Sequence, residues 1–368
     1  MTLTEFWFIV ITALWTGFFV LEGFDFGVGM LHGAVGGDEA GRRAAINTIG
    51  PLWDGNEVWL IVAGAAMFAA FPGWYATMFS GMYLALVVLL IALIVRGVSF
   101  EYRGKRESAR WRRSWDTLLT SGSLLAPLLI GVALGDLLHG LPINSHQEYT
   151  GSFIDLLQPY GLFTGVTLVF LCALHGATFL ALKTTGHLRQ RAGRLARRVA
   201  PVTAAMVLAF ASWTHVTAGQ GFFPNLIEIA AVLAILASVW LVYESTDGWA
   251  FAATTFAMAA SVVSIFAELY PRVMVSSTNQ AFNLTVSNTA AGSYALKVMT
   301  IIVVIFLPFV LAYQAWTYYI FRRRISRDEF SEELPPAAPP RAGAPPRAGA
   351  PPRGAPGTPA RTEGAQRG

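Results

Sequence analysis

Long apolar runs recur along the whole chain and are separated by short polar stretches. The hydrocarbon core of a bilayer is about 30 Å thick, and a helix of about 20 apolar residues can cross it. Nine segments meet this requirement, and the sixth and seventh are separated only by residues 218–225. The predicted spans are residues 5–30, 52–72, 76–98, 116–138, 160–182, 199–217, 224–243, 249–270 and 295–321. The pattern therefore predicts an all-α, polytopic membrane protein with about nine transmembrane helices.

The composition supports this prediction. Only 13% of the 368 residues are charged and 54% are hydrophobic, whereas soluble domains carry about 25% charged residues. Cys172 is the single cysteine, which excludes an internal disulfide and a metal site built from cysteines. The first apolar segment has no positively charged start and no small-residue cleavage site, so we expect it to remain in the protein as a span.

The positive charges alternate from one predicted loop to the next. Basic residues follow the first, third, fifth and ninth spans, in segments 41–43, 101–113, 183–198 and 321–327. Segment 139–161, after the fourth span, contains no lysine or arginine. Because lysine and arginine are retained in cytoplasmic loops, we predict that the N-terminus lies outside and the C-terminus in the cytoplasm.

The C-terminal end has a different character. From residue 331 to residue 368 it repeats proline, alanine, glycine and arginine, with few residues that could form a core. We therefore predict a membrane domain over residues 1–330 and a disordered cytoplasmic tail over residues 331–368. The tail arginines could contact anionic lipid, whereas nothing in the charge pattern indicates a nucleic-acid partner.

Acidic residues at the predicted cytoplasmic ends of the first three spans are the main candidates for chemistry. Glu22 and Asp25 are three residues apart, as are Asp54 and Glu57, so each pair shares one helical face. Arg96, Glu101 and Lys105 close the third span. Charges in a membrane are costly and commonly line ion or proton routes.

Alternatively, these acids have structural roles and do not take part in an ion or proton route. They could be hydrated at the interface and paired with Arg96, Arg42 or Arg43, and Glu57 could simply favour a helix start. Glu101 and Lys105, four residues apart, could form an interfacial salt bridge.

Candidates for a directly bound cofactor are weak. A haem needs axial ligands from helices that face one another, and His175 is the only histidine in the middle of a predicted span. We expect His175 to be a buried, hydrogen-bonded side chain. No phosphate-binding loop or zinc motif is present, so we expect no metal or cofactor bound directly by this chain.

Four sequence blocks carry a resemblance to a known family. EGFDFGVGML (22–31), residues 46–72 around WDGNEVWL, residues 99–116 beginning SFEYRGKRE, and residues 268–300 beginning ELYPRVM follow in the same order as in the family. They resemble subunit II of bacterial cytochrome bd-type quinol oxidases over about residues 5–330. The proline-rich tail departs from the family pattern.

The resemblance implies a multi-pass subunit of a bacterial inner-membrane complex that oxidises quinol and reduces oxygen to water. Its fold would be two four-helix bundles plus one helix. Haems b and d would belong to the larger partner, subunit I, and this chain would support haem-subunit assembly and part of a cytoplasmic proton route. In some members subunit II holds a structural quinone, and small single-span subunits join the complex.

The same resemblance implies roles for individual residues. Asp25 and Asp54 are similar to acids on or near the proton route, and Glu22 stands where the family commonly has an acid. Glu101 occupies the place of a carboxylate that is often aspartate, and Lys105 matches a lysine.

Glu57 stands where some relatives have an uncharged residue, so we assign it only a supporting role. Arg96 is assigned a supporting role as well. We assign no catalytic residue to this chain. The residues alone also allow a proton- or cation-coupled secondary transporter, or a self-contained b-type cytochrome.

Overall fold

The computed structural model describes residues 1–218 and 225–331, which are mainly helical. The predicted tail, apart from residue 331, lies outside the described residues. The helices are α1 Leu3–Gly36, α2 Glu39–Asn47, α3 Trp53–Ala70, α4 Pro72–Gly81, α5 Tyr83–Tyr102, α6 Ala109–His139, α7 Pro159–Lys183, α8 Gly186–Ala218, α9 Leu226–Tyr243, α10 Asp247–Leu269 and α11 Ser293–Ile320. Short 3-10 turns occupy Arg103–Lys105, Phe153–Leu156, Gln280–Phe282 and Asp328–Phe330.

Helix α1 is the centre of the packing. It contacts α3, α6, α7 and α10 along its length. Its first turn is closed by a capping box, in which Thr2 Oγ1 accepts from the Glu5 backbone N–H (3.2 Å) and Glu5 Oε2 accepts from the Thr2 N–H (2.7 Å). Glycines bring α1 and α7 close together, because a Cβ added at Gly27 would lie 2.1 Å from the Cys172 carbonyl oxygen. Small residues are what allow membrane helices to approach this closely.

Two short strands form a cap at the predicted outer end. Strand β1, Arg272–Met274, pairs antiparallel with β2, Leu284–Thr285. The cap is joined to the segment after α6, where the Leu141 N–H donates to the Val275 carbonyl (3.0 Å). These bonds satisfy backbone groups that have no helical partner.

The predicted spans agree well with the helices. Eight helices within the described residues are long and apolar enough to cross a membrane. Helix α3 corresponds to the second predicted span. It is not among the eight, because Asp54, Asn56 and Glu57 make its first turns polar. The all-α, polytopic class is therefore confirmed, while the count of nine spans and the orientation stay predictions.

Two boundary predictions were wrong. The third predicted span, 76–98, crosses a break at Met82 between α4 and α5. Helix α4 is held separately by the segment after α6, since Thr77 Oγ1 donates to the Gln147 carbonyl (2.6 Å) and Gly81 packs on the Tyr149 ring.

The basic segment 183–198 is mostly helix and not a loop, because α8 begins at Gly186. Leu188, Ala192 and Ala196 are 0–2% exposed and recur every four residues. This buried stripe anchors the basic turns of α8 to the rest of the molecule.

Candidate functional site: a buried acid and arginine cluster

Four of the predicted site residues come together where α1, α3 and α5 meet. Glu22 and Arg96 are both fully buried, and Arg96 Nη1 lies 2.6 Å from Glu22 Oε1. The same nitrogen lies 3.3 Å from Glu57 Oε2, whose side chain is 20% exposed. Asp25 is fully buried one turn from Glu22 on the same helical face. We call Glu22, Asp25, Glu57 and Arg96, with the Asn56 described next, the acid–arginine cluster.

Asn56 connects Asp25 to α11. Its Nδ2 donates to Asp25 Oδ2 (2.6 Å) and to the Leu21 carbonyl (3.3 Å). Its Oδ1 accepts from Gln314 Nε2 and from the Tyr318 hydroxyl, each at 2.9 Å. The amide therefore fixes one Asp25 oxygen and ties α1, α3 and α11 together.

Sequence reasoning missed Asn56, Gln314 and Tyr318. The available signals were modest. Asn56 lies between two acids in WDGNE, and Gln314 and Tyr318 are four residues apart, on one face of an otherwise apolar helix.

The cluster contains three carboxyl groups and one guanidinium, which pairs with Glu22 and Glu57, while Asp25 accepts from Asn56. Glu22 and Asp25 are three residues apart on α1, so their carboxyl groups lie on one helical face. Arg96 also lies 4.9 Å from the Phe26 ring centroid and 5.4 Å from that of Phe100. These aromatic faces attract the cation and shield it from solvent.

The other predicted site residues lie at the surface. Asp54 is exposed in the first turn of α3 and makes no hydrogen bond or ion pair within residues 1–218 and 225–331. Glu101 and Lys105 are also exposed and unpaired in that part of the chain. Their predicted salt bridge was wrong, because α5 ends at Tyr102 and residues 103–105 form a 3-10 turn. Four-residue spacing aligns side chains only in a continuous α-helix.

A second ionic cluster surrounds Arg103, which the sequence did not single out. Arg103 donates to both Glu39 oxygens (2.9 and 3.0 Å) and from Nε to Asp116 Oδ1 (2.5 Å). Arg42 joins the same group, 3.3 Å from Glu39 and 3.5 Å from Asp116. The alternative that Arg42 neutralises the acids of α1 and α3 was therefore wrong, because its carboxylate partners are elsewhere. His32 Nε2 completes the group, 3.3 Å from Asp116 Oδ1.

His175 has the hydrogen-bonded role that was predicted. It is fully buried, with Nδ1 2.8 Å from Thr254 Oγ1 and Nε2 3.2 Å from the Val20 carbonyl. Its ring stacks on Phe251 at a centroid distance of 4.7 Å. Both nitrogens are engaged, so neither faces a place for haem iron. Within the described residues no three histidine, cysteine or acidic side chains are grouped to hold a metal ion.

Comparison with known proteins identifies the family. The profile described as "Cytochrome bd terminal oxidase subunit II" matches residues 3–321. The chain belongs to this family. It is 43% identical over 332 residues to the cytochrome bd ubiquinol oxidase subunit 2 of Bacillus subtilis, covering 89% of this chain and 98% of that protein. It is 36% identical over 360 residues to the cytochrome bd-I ubiquinol oxidase subunit 2 of Escherichia coli K12, covering 88% and 95%.

A solved structure shares the fold of this chain. The bd oxidase from Geobacillus thermodenitrificans contains a chain that matches with a TM-score of 0.67 and 16% identity, covering 87% of this chain and 99% of that one. Family membership makes the protein a multi-pass membrane subunit of a terminal oxidase, which is an oxidoreductase complex. This confirms the predicted family and favours the oxidase interpretation over a secondary transporter.

Proposed function

We propose that this subunit II delivers protons from the cytoplasmic side of a quinol-oxidising terminal oxidase toward its haem-bearing partner, through the acid–arginine cluster. The observation that carries the proposal is the pairing of Glu22 and Asp25, both fully buried on α1 beside a single buried cation, Arg96. Reduction of oxygen to water consumes protons, and buried acids in membrane proteins commonly relay them.

The burial of the acids supports an order for the route. Asp54 is exposed, Glu57 is 20% exposed, and Glu22 and Asp25 are fully buried. We place Asp54 at the cytoplasmic entry of the proton route, Glu57 next along it, and Glu22 and Asp25 at its inner end. Arg96 holds the pair in place and lowers the cost of burying negative charge. Glu101 and Lys105 belong to the surface around the entry.

The partner completes the enzyme. The curated relatives are named as subunits of ubiquinol oxidases, and we propose that haems b and d are held by subunit I of the present complex. Helix α11 offers a docking face, because Leu296 is its only fully buried residue among the described ones. Small single-span subunits in the complex stay a prediction.

A structural quinone in this chain also stays a prediction. An apolar groove of about 540 Å³ between α1, α3, α4, α5 and α6 has suitable chemistry. Its walls include Trp15, Phe68, Tyr75, Phe79 and Leu93, and apolar clefts with aromatic walls are the usual sites for such ligands.

The proposal is tested with Asp25→Asn in the purified complex. We expect quinol-driven oxygen consumption to fall by about tenfold or more, because a positioned proton carrier contributes about 10²–10⁴-fold. Glu22→Gln and Asp54→Asn should also slow turnover, with the smallest effect at exposed Asp54. The matched control is Asp136→Asn. Asp136 is a buried acid near the C-terminal end of α6, and its replacement should leave turnover at the wild-type rate.

Two readouts separate proton transfer from assembly. The reduced-minus-oxidised haem spectrum should stay at wild-type amplitude in Asp25→Asn, while proton uptake per oxygen pulse slows in step with turnover. Full activity of a correctly assembled Asp25→Asn complex would refute the relay. Loss of the haem spectrum would instead assign Asp25 to assembly.

A further inference from the structure

A second feature of the molecule lies outside the acid–arginine cluster, on the predicted cytoplasmic side. A groove of about 690 Å³ opens between the first turns of α8 and the turn that joins α9 to α10. The α8 wall is formed by residues three or four apart, which share one helical face. We call it the arginine groove, and the residues that define its chemistry are Arg189, Gly193, Arg194, Arg197, Ser245 and Asp247.

Two arginines of the groove are held in place by hydrogen bonds to the turn between α9 and α10. Arg189 Nε donates to Asp247 Oδ2 (2.6 Å), and Arg197 Nη2 donates to Ser245 Oγ (2.5 Å). Arg194 lies between them in sequence, is exposed, and makes no hydrogen bond or ion pair within the described residues. Three arginines and one aspartate give the lining a net charge of +2. Among the described residues, the groove therefore presents one guanidinium without a partner between two that are held by hydrogen bonds.

Exposed aromatic residues indicate the depth of the groove in the membrane. Trp240, Tyr243 and Trp249 are 64%, 54% and 72% exposed at the adjoining ends of α9 and α10. Exposed tryptophan and tyrosine collect at the level of the lipid headgroups. The arginine groove opens beside this aromatic belt, so it lies where phospholipid phosphates are found.

We propose that the arginine groove binds the headgroup of an anionic phospholipid. Basic pockets between transmembrane helices on the cytoplasmic side suit such headgroups, and the planar guanidinium matches phosphate oxygens in bidentate pairs. Arg194 contacts the phosphate with its whole guanidinium group. Arg189 and Arg197 contact it with the N–H groups that are not bonded to Asp247 and Ser245. A free phosphate ion shares this chemistry, but the neighbouring apolar and aromatic surface suits only a lipid.

The test measures lipid binding to the purified, delipidated complex in a neutral detergent by native mass spectrometry. Phosphatidylglycerol should bind more tightly than phosphatidylcholine. Arg194→Gln should weaken phosphatidylglycerol binding by about fivefold, the factor for one charge near a membrane surface. Gly193→Leu should weaken it too without a change of charge, because a Cβ at Gly193 meets no atom within 4 Å and the longer side chain fills the groove.

The matched control is Arg113→Gln. Arg113 is an exposed arginine of α6 on the same predicted side, and its side chain makes no hydrogen bond or ion pair within the described residues. Its replacement should leave the affinity unchanged. Equal losses for Arg113→Gln and Arg194→Gln would overturn the proposal, since diffuse surface charge would explain the binding. Equal binding of the two lipids, or displacement of phosphatidylglycerol by millimolar inorganic phosphate alone, would also overturn it.

Discussion

Replacing Arg96 by methionine should destabilise the assembled subunit strongly. Methionine keeps much of the side-chain length but removes the guanidinium, which lies 2.6 Å from Glu22 and 3.3 Å from Glu57. Glu22 is fully buried, and Arg96 is its only ion-pair partner in the described part of the chain. Removing one partner of a buried ion pair costs about 3–5 kcal/mol, because the remaining charge is uncompensated. We therefore expect the free energy of unfolding to fall by about that amount.

A double-mutant cycle distinguishes this cause from a simple packing defect. Glu22→Gln removes the stranded charge, so the double variant Arg96→Met/Glu22→Gln should be more stable than the sum of the two single losses predicts. The coupling between contacting charged residues should be about 1–3 kcal/mol. The assay is unfolding of the purified complex in mixed detergent micelles, followed by tryptophan fluorescence and haem absorbance. A coupling energy below about 0.5 kcal/mol would refute the reasoning, because independent sites add within that margin.

Three further outcomes follow from the structure. Gly27→Val should cost about 1–3 kcal/mol and lower the yield of assembled complex, because its Cβ would lie 2.1 Å from a carbonyl oxygen of α7, whereas Gly33→Ala, with no atom within 4 Å, should be neutral. The hydrogen bond from Arg327 lowers the pKa of Asp38. The bond between Arg327 and Asp38 therefore stabilises residues 326–331 fully at a pH above the ordinary carboxyl pKa of about 3.9. This stabilisation is lost as the pH falls through the lower pKa that Asp38 has in the folded protein. Hydrogen exchange, corrected for intrinsic rates, should show that loss in the wild type but not in Asp38→Asn. His175→Gln should lower the melting temperature of the complex and leave its haem spectrum unchanged, and a changed spectrum would contradict the hydrogen-bonded role.

The helices were predictable because the membrane imposes one requirement on every span. Each crossing must satisfy its own backbone hydrogen bonds and present apolar side chains, so hydropathy alone located α7, α10 and α11 to within two residues at each end. The break at Met82 was not predictable in this way. It depends on Gln147 and Tyr149, which lie about 65 residues further along the chain and hold α4 apart from α5.

The candidate site was predictable in part for a similar reason. Spacing alone placed Glu22 and Asp25 on one helical face, and charge pattern alone favoured Arg96 as a partner. Spacing could not show that Asn56 bridges Asp25 to Gln314 and Tyr318, since that bond joins residues more than 250 positions apart. It also failed for Lys105, where the helix ends between the two members of the predicted pair.

The sequence by itself determined the membrane class, the approximate spans, the family and a set of candidate acids. These properties follow from composition, periodicity and motif, which are local features of the chain. Only the tertiary structure decided which acids are buried, because burial depends on the helices that pack around each one. It left Asp54 at the surface, enclosed Glu22 and Asp25 around Arg96, and turned a basic stretch expected as a loop into the helical wall of the arginine groove.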